Sequence, residues 1–343
     1  MAELGIGLLG SGYMGMTYAE CIAKFNTRAR LAAVAGGTRA PGLAEKHGVA
    51  YEPTYEGLLA RPDVQAVLIA TPHSAHRAQV EAAASAGKHV LVEKPMATSV
   101  EDCTAMIQAC QRAGVRLQVI QTLRFRGTLK RAKTLLDEGA IGEVRMMSGR
   151  SLFANYVADE KSWANQPGEG GAFLDMGVHN FDIMRFLLGA EPQRVYSQMV
   201  TYDYPAHMGL NAMHELLFTN GVMVQQWMAY QMPAPGLPDS GHRYWVVGSQ
   251  GLLDIDGYGK LLLGRGTGWE LVWEQPAIDF INRPLEATRL EAFFTQTQAF
   301  VDDILDNRPD TVSGADGRAA VAIVEAARQS AATGQAVVYT PPA

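Results

Sequence analysis

Leu4-Gly5-Ile6-Gly7-Leu8-Leu9, followed at once by Gly10-Ser11-Gly12-Tyr13-Met14-Gly15, is the stretch that decides the fold. Its first six residues form a short apolar run ending in glycines, the pattern of a buried parallel strand. Residues 14–25 then read as a helix. In that setting the glycine triplet has a mechanical meaning. Gly10 permits the tight turn, Gly12 lets the backbone approach a pyrophosphate, and Gly15 lets the helix pack closely on the strand. Ser11, Tyr13 and Met14 complete the loop, and the helix N-terminus offers unpaired N–H groups and a positive dipole end to phosphates. An ordinary glycine-rich turn is the alternative, and the elements that follow weigh against it.

Strands are expected at 31–35, 66–70, 89–92 and 117–120, with helices at 75–86 and 100–113. Strand and helix alternating at this pitch predict an α/β fold whose N-terminal part, residues 1–122, is a doubly wound parallel (Rossmann) sheet binding a dinucleotide. After about residue 122 the rhythm changes to strands joined by short turns. Thr219-Asn220-Gly221, between strands at 216–218 and 222–228, is a hairpin signal, because Asn-Gly accepts the positive φ angles of a type I′ turn. Further strands at 244–247, 252–255 and 260–263 predict a C-terminal α+β domain, residues 123–343, with an open, largely antiparallel sheet. Residues 291–306 and 316–333 read as two amphipathic packing helices.

The end of the second strand bears on the cofactor. An NAD enzyme usually keeps Asp or Glu about 20 residues past the glycines, to bond the ribose hydroxyls. This chain has Ala35-Gly36-Gly37-Thr38-Arg39 instead. Thr38 and Arg39 suit a 2′-phosphate, held by a hydroxyl and a guanidinium, so the reading leans from NAD to NADP. A solvated Arg39, or one stacked on the adenine of NAD, is the alternative.

Two strand ends carry further polar residues. The first reads Thr71-Pro72-His73-Ser74-Ala75-His76: Pro72 stops the strand, and Ser74 is placed to cap the next helix. This is the carboxyl edge, where doubly wound folds bind ligands, so Thr71, Pro72, His73 and His76 read as cofactor neighbours, the two histidines alternatively as helix-start polarity. No third ligand lies nearby, and no metal is expected. The second is Glu93-Lys94-Pro95, of which Glu93 and Lys94 read as cofactor neighbours. A residue before proline is pushed away from helical geometry, which holds Lys94 at the strand tip beside a nicotinamide, suited to polarise an oxygen or relay a proton. A surface lysine in a turn is the alternative.

The third chemical string runs from Gly168-Glu169-Gly170-Gly171 into a helix at 172–188, which Gly189 closes. Asp175, His179 and Asp182 fall at i, i+4 and i+7, on one face of that helix. Phe173, Leu174, Met176, Val178, Phe181, Ile183 and Met184 fill the rest, so the helix is expected to be buried. A solvated edge, or a metal site on Asp175 and His179, is the rival explanation of the stripe.

Composition excludes other classes. The net charge of −6 argues against a nucleic-acid partner, since backbone binders carry a basic excess. No run approaches the roughly 18 apolar residues of a membrane span. Met1-Ala2-Glu3 leads straight into a strand without the pattern of a secretory signal, and Cys21, Cys103 and Cys110 lack paired-ligand spacing. A cytoplasmic protein with reduced, packed thiols is expected.

With these residues in hand, the chain resembles the glucose–fructose oxidoreductase / inositol dehydrogenase / rhizopine-catabolism (Gfo/Idh/MocA) family. The resemblance spans essentially the whole length and includes Val312-Ser313-Gly314-Ala315-Asp316-Gly317-Arg318 near the C-terminus. It implies hydride transfer between the nicotinamide and a hydroxyl-bearing carbon of a sugar, cyclitol or related polyol. By match to the family's motifs His179 is the general base, Lys94 orients the hydroxyl and stabilises charge on its oxygen, and Asp175 holds the substrate or tunes the imidazole. The chain departs in having Gly-Glu-Gly-Gly before Ala172 rather than three consecutive glycines, and in lacking the acid after the second strand. Within residues 150–163, Tyr156 and Trp163 are the first choices for contacting a sugar. On residues 222–230 one face carries Val222, Val224, Gln226, Met228 and Tyr230 and the other Met223, Gln225 and Trp227, and helices can cover only one face of such an open sheet. The second face with large apolar side chains, together with the resemblance, implies a homodimer or homotetramer through the C-terminal sheet. Two other functions stay open: a glycosidase-type enzyme that recycles bound NAD(H), and a non-catalytic dinucleotide sensor.

Overall fold

The structure, a computed structural model, describes residues 3–154, 161–237, 240–280 and 282–342. The chain folds into two compact units, Met1–Thr122 with Asp279–Arg318, and Leu123–Ile278 with Ala319–Ala343.

In the first unit strands and helices alternate: β1 (Leu4–Leu9), α1 (Tyr13–Lys24), β2 (Ala29–Ala35), α2 (Ala40–His47), β3 (Ala50–Glu52), α3 (Tyr55–Ala60), β4 (Ala66–Ile69), α4 (His76–Ser85), β5 (His89–Val92), α5 (Val100–Ala113) and β6 (Leu117–Val119). The strands form one parallel sheet in the order β3-β2-β1-β4-β5-β6. All six residues of β1 are buried, as a strand covered on both faces requires. Strand order reverses between β1 and β4, which makes the carboxyl ends of those two strands a topological switch point. One expectation fails here: α4 starts from Ala75 with no side-chain cap, because Ser74 sits inside a single 3₁₀ turn, His73–Ala75.

The second unit contains α6 (Gly127–Asp137), β7 (Val144–Ala154), α7 (Gly171–Leu188), β8 (Pro192–Val200), β9 (Asn211–Phe218), β10 (Met223–Met232), β11 (His242–Gly248), β12 (Leu252–Asp256), β13 (Lys260–Arg265), β14 (Gly268–Glu274) and β15 (Val337–Val338). Its nine-stranded sheet runs β14-β13-β12-β11-β7-β10-β9-β8-β15, antiparallel except where β7 meets β10. Helix α7 packs on one face: the Ser151 hydroxyl donates to Asn180 Oδ1 at 2.5 Å, and Phe173 and Phe181 each lie 5.3 Å from the His214 ring. The opposite face carries Met146, Met213 and Met223, which are 44%, 55% and 57% exposed.

The β9–β10 hairpin forms as expected, but its turn is of another type. Gly221 alone has positive φ, 82°; the Gly221 N–H donates to Phe218 O and the Phe218 N–H to Val222 O, both at 2.9 Å. This is a three-residue loop ending in a left-handed glycine, not a two-residue type I′ turn, and it uses Thr219 as well as Asn-Gly.

Residues after the second sheet return to the first unit. Helix α8 (Ala287–Leu305) places Phe300 and Val301 in the core formed by Leu4, Ile6, Leu8, Tyr18 and Ile22. The Val119 N–H then donates to Val312 O at 3.1 Å, and Ser313 and Asp316 cap α9 (Gly314–Thr333) reciprocally. Among the described residues no helix is long and apolar enough to cross a membrane.

Candidate active site

Each glycine of the fingerprint meets a different steric demand. Gly10 has φ +111°, and a Cβ there would stand 2.2 Å from Ala70 O. A Cβ on Gly15 would stand 2.1 Å from Gly10 O, so the helix rests directly on the turn. A Cβ on Gly12 would meet nothing within 4 Å. It would project into the open space in front of the α1 N-terminus, which no side chain caps. A cradle that only a methyl would fill, at uncapped N–H groups, fits the pyrophosphate of a dinucleotide. Tyr13 and Met14 begin the helix, Tyr13 exposed and Met14 half-buried. The Ser11 hydroxyl is turned inward and donates to Gly36 O at 2.9 Å, tying the loop to the end of β2.

The other first-unit positions gather at the same edge, at the carboxyl ends of β2, β4 and β5. Thr38 and Arg39 are exposed just before α2, and the Arg39 carbonyl accepts from Leu43 N–H at 3.0 Å. Pro72 is exposed and His73 buried; Thr71 donates to Gln79 Oε1 at 2.6 Å. His76 is fully buried. Its Nδ1 lies 3.1 Å from Pro95 O and 3.2 Å from Met96 O, and its Nε2 lies 3.0 Å from Thr71 O. Burial pushes its pKa down to about 4. The ring thus sits between the turn after β4 and the turn after β5, and as a neutral imidazole it donates its single N–H to one of them. In that second turn the Lys94–Pro95 peptide bond is cis, and Glu93, Pro95, Met96 and Ala97 are buried while Lys94 is half-exposed.

In the second unit, α7 enters through Gly170 and Gly171, with φ +90° and +64°. A Cβ on Gly171 would lie 2.7 Å from His207 O and from Met208 O. Over residues 171–184 every position is buried except Asp175 and His179. The expected stripe therefore narrows to two residues. Asp182 is 1% exposed and bound bidentately by Arg124, at 2.8 and 2.5 Å, so it is a structural ion pair rather than a third polar group on the open face. Trp163 is 48% exposed, in a single 3₁₀ turn before α7. Tyr156 lies outside the described residues. Among the described residues no three His, Cys, Asp or Glu side chains gather as a metal site.

Arg289 and Tyr18, by contrast, have no motif to announce them. Arg289, 3% exposed on α8, donates to Thr17 Oγ1 at 3.2 Å and lies over the Tyr13 ring at 4.8 Å. Arg289 falls three and four positions before Ala292 and Phe293, on the apolar face of its helix, and that is the one sequence signal for it.

Two family models match in succession: an oxidoreductase family with an NAD-binding Rossmann fold over residues 4–121, and the GFO/IDH/MocA C-terminal domain over residues 129–254. The chain belongs to the Gfo/Idh/MocA oxidoreductase family. Among its relatives, inositol 2-dehydrogenase of Rhizobium meliloti (strain 1021) is 30% identical over 334 residues, 95% of this chain and 96% of that protein. The Gfo/Idh/MocA fold is equally clear in solved structures. Aldose-aldose oxidoreductase from Caulobacter crescentus, complexed with glycerol, superposes with a TM-score of 0.84 at 29% identity, covering 98% of this chain and 100% of that one. An oxidoreductase from Agrobacterium radiobacter in complex with NAD+, L-tartaric acid and magnesium also gives 0.84, at 25% identity over 98% of both chains. The chain is an oxidoreductase with an NAD-binding Rossmann fold.

Proposed function

We propose that the protein transfers a hydride between a nicotinamide dinucleotide and a hydroxyl-bearing carbon of a sugar, cyclitol or similar polyol. One observation supports this most: over residues 171–184 of α7 the only half-open side chains are a carboxylate and an imidazole, Asp175 and His179, one turn apart. Histidine has an ordinary pKa near working pH, so His179 takes the proton of the reacting hydroxyl as general base. Asp175 holds the substrate or the imidazole, and Lys94 donates to the reacting oxygen. The dinucleotide, when bound, supplies the hydride acceptor or donor. Its pyrophosphate is held by Gly10–Gly15 and its far end by Thr38 and Arg39. That exposed pair, with no acid beside it, favours NADP over NAD. Trp163, with Tyr156, supplies the aromatic contact to the sugar.

The enzyme works as a homodimer or homotetramer joined through the face of Met146, Met213 and Met223. Such an apolar surface is unusual for a protein that acts alone. Its three cysteines are buried and form no disulfide, and burial pushes Cys21 and Cys110 up to about 12, which suits a reducing cytoplasm. The test is a panel of sugars and cyclitols assayed with NAD and NADP in parallel, on wild type, Lys94→Ala, His179→Ala and Arg39→Ala. Reduced cofactor that accumulates in step with product, lost in the first two variants, supports the reading. Turnover without net cofactor reduction would instead reveal internal recycling. Arg39→Ala is expected to weaken NADP at least tenfold and NAD less than twofold; equal losses reject the phosphate clamp.

A further inference from the structure

We infer that Tyr18 is a positioning residue for Lys94, acting through the carboxylate of Glu93. Tyr18 is 1% exposed on α1, packed in the apolar core with Leu8, Leu68 and Ile120, its ring edge-on to Phe293 at 5.9 Å. A phenylalanine would satisfy that packing. The hydroxyl instead donates to Glu93 Oε1 at 2.6 Å, while Glu93 Oε2 accepts the backbone N–H of Lys94 at 2.8 Å. One carboxylate, itself 6% exposed, therefore gathers a donor from the helix behind the glycine turn and a donor from the peptide of Lys94. A buried carboxylate held by two donors has a fixed orientation, and with it the peptide plane that carries the Lys94 side chain. Burial and the neighbouring Glu93 charge raise the Tyr18 pKa well above its usual value, so the hydroxyl remains a donor throughout the working pH range.

The far side of the same turn packs separately against the buried His76, whose Nδ1 lies 3.1 Å from Pro95 O and 3.2 Å from Met96 O. Loss of the Tyr18 hydroxyl thus frees the peptide of Lys94 without dissolving the turn. Helix α1 is itself anchored, because Arg289 donates to Thr17 Oγ1 and to Pro284 O at 3.2 and 2.6 Å. The Tyr18 hydroxyl has a fixed base from which to act. This inference rests on the role proposed for Lys94.

The test uses the full-length protein and Tyr18→Phe, with Glu93→Gln as the second variant should the first fail to fold. Amide hydrogen exchange at Lys94, followed by NMR without cofactor, is expected to quicken about tenfold, while the amides of Met96 and Ala97 change less than twofold. The rate at which trinitrobenzenesulfonate labels Lys94 is expected to change about as much, and NADH affinity by fluorescence to stay within twofold. A merely structural tyrosine would lower the melting temperature and leave exchange and labelling at Lys94 as in wild type. That outcome overturns the inference. Lys94→Ala, assayed separately, reports on the catalytic reading alone: turnover surviving it rejects that reading, whereas the exchange result judges the positioning.

Discussion

Replacing Gly12 and Gly15 by alanine, one at a time, separates a glycine kept for a ligand from a glycine kept for packing. Gly12 has φ −72° and ψ −166°, which alanine adopts without strain, and its Cβ would touch nothing within 4 Å. The Gly12→Ala fold is therefore expected to be as stable as wild type, or more stable by about 0.4–1 kcal/mol through a less flexible unfolded chain. The added methyl occupies the space proposed for the pyrophosphate. Displacing a phosphate from helix N–H groups is expected to weaken dinucleotide binding at least tenfold, about 1.4 kcal/mol. Gly15→Ala differs, because its Cβ would stand 2.1 Å from the Gly10 carbonyl oxygen, a backbone atom that moves only if the turn moves. A shift of that kind costs about 1–3 kcal/mol. At about 2–4 °C of melting temperature per kcal/mol, the loss is readily measured. Calorimetry of the two variants, with titration of NADH and NADPH by fluorescence, gives both quantities. The reasoning is refuted if Gly12→Ala binds either dinucleotide as tightly as wild type, or if it melts as far below wild type as Gly15→Ala.

Further outcomes are expected elsewhere in the molecule. Arg124→Met removes the bidentate partner of Asp182, 1% exposed, with Arg185 still 4.0 Å away, and is expected to destabilise the fold by about 1.5–3 kcal/mol in urea unfolding; a loss below about 0.5 kcal/mol contradicts the buried pair. Burial pushes His214 down to about 3 and His242 down to about 4, below the unfolded value near 6.5. Between pH 6 and about 4 the unfolded chain takes up protons that the folded chain refuses, so stability is full above about pH 6.5 and falls on acidification. The slope is about 1.4 kcal/mol per pH unit for each histidine, and urea midpoints that do not move between pH 6.5 and 5 argue against it. Met223→Asp, which puts a charge at a 57%-exposed position on the open sheet face, is expected to halve the particle mass in light scattering while the melting temperature of the monomer holds; an unchanged mass moves the interface elsewhere.

Elements whose logic is local were legible in the sequence. The glycine turn, the parallel strands and helix α7 follow from short-range steric and periodic patterns, and their boundaries fall within a residue or two. Asn220-Gly221 also announced a hairpin, but the same dipeptide serves a longer loop when the residue before it joins the turn. Asp182 looked like a third member of the polar stripe, because its partner lies 58 positions earlier. Tyr18 and Glu93 are 75 positions apart and meet only once β1, α1, β4 and β5 are assembled. Short elements such as β3 and α3 owe their form to neighbours rather than to propensity. The sequence rhythm changes near residue 122, yet nothing in it announces that Asp279–Arg318 packs with the first unit.

That return bears on how the protein is made. When a ribosome has released the first 122 residues, the parallel sheet has all its strands, but the face that takes Phe300 and Val301 is bare. The nascent chain must carry an open greasy surface while more than a hundred further residues are synthesised, or leave that half loosely ordered until its cover arrives. A gene fragment cut at the sheet's end should therefore yield sticky, poorly soluble material, whereas one in which a linker joins Thr122 directly to Asp279–Arg318 keeps the lid with its box.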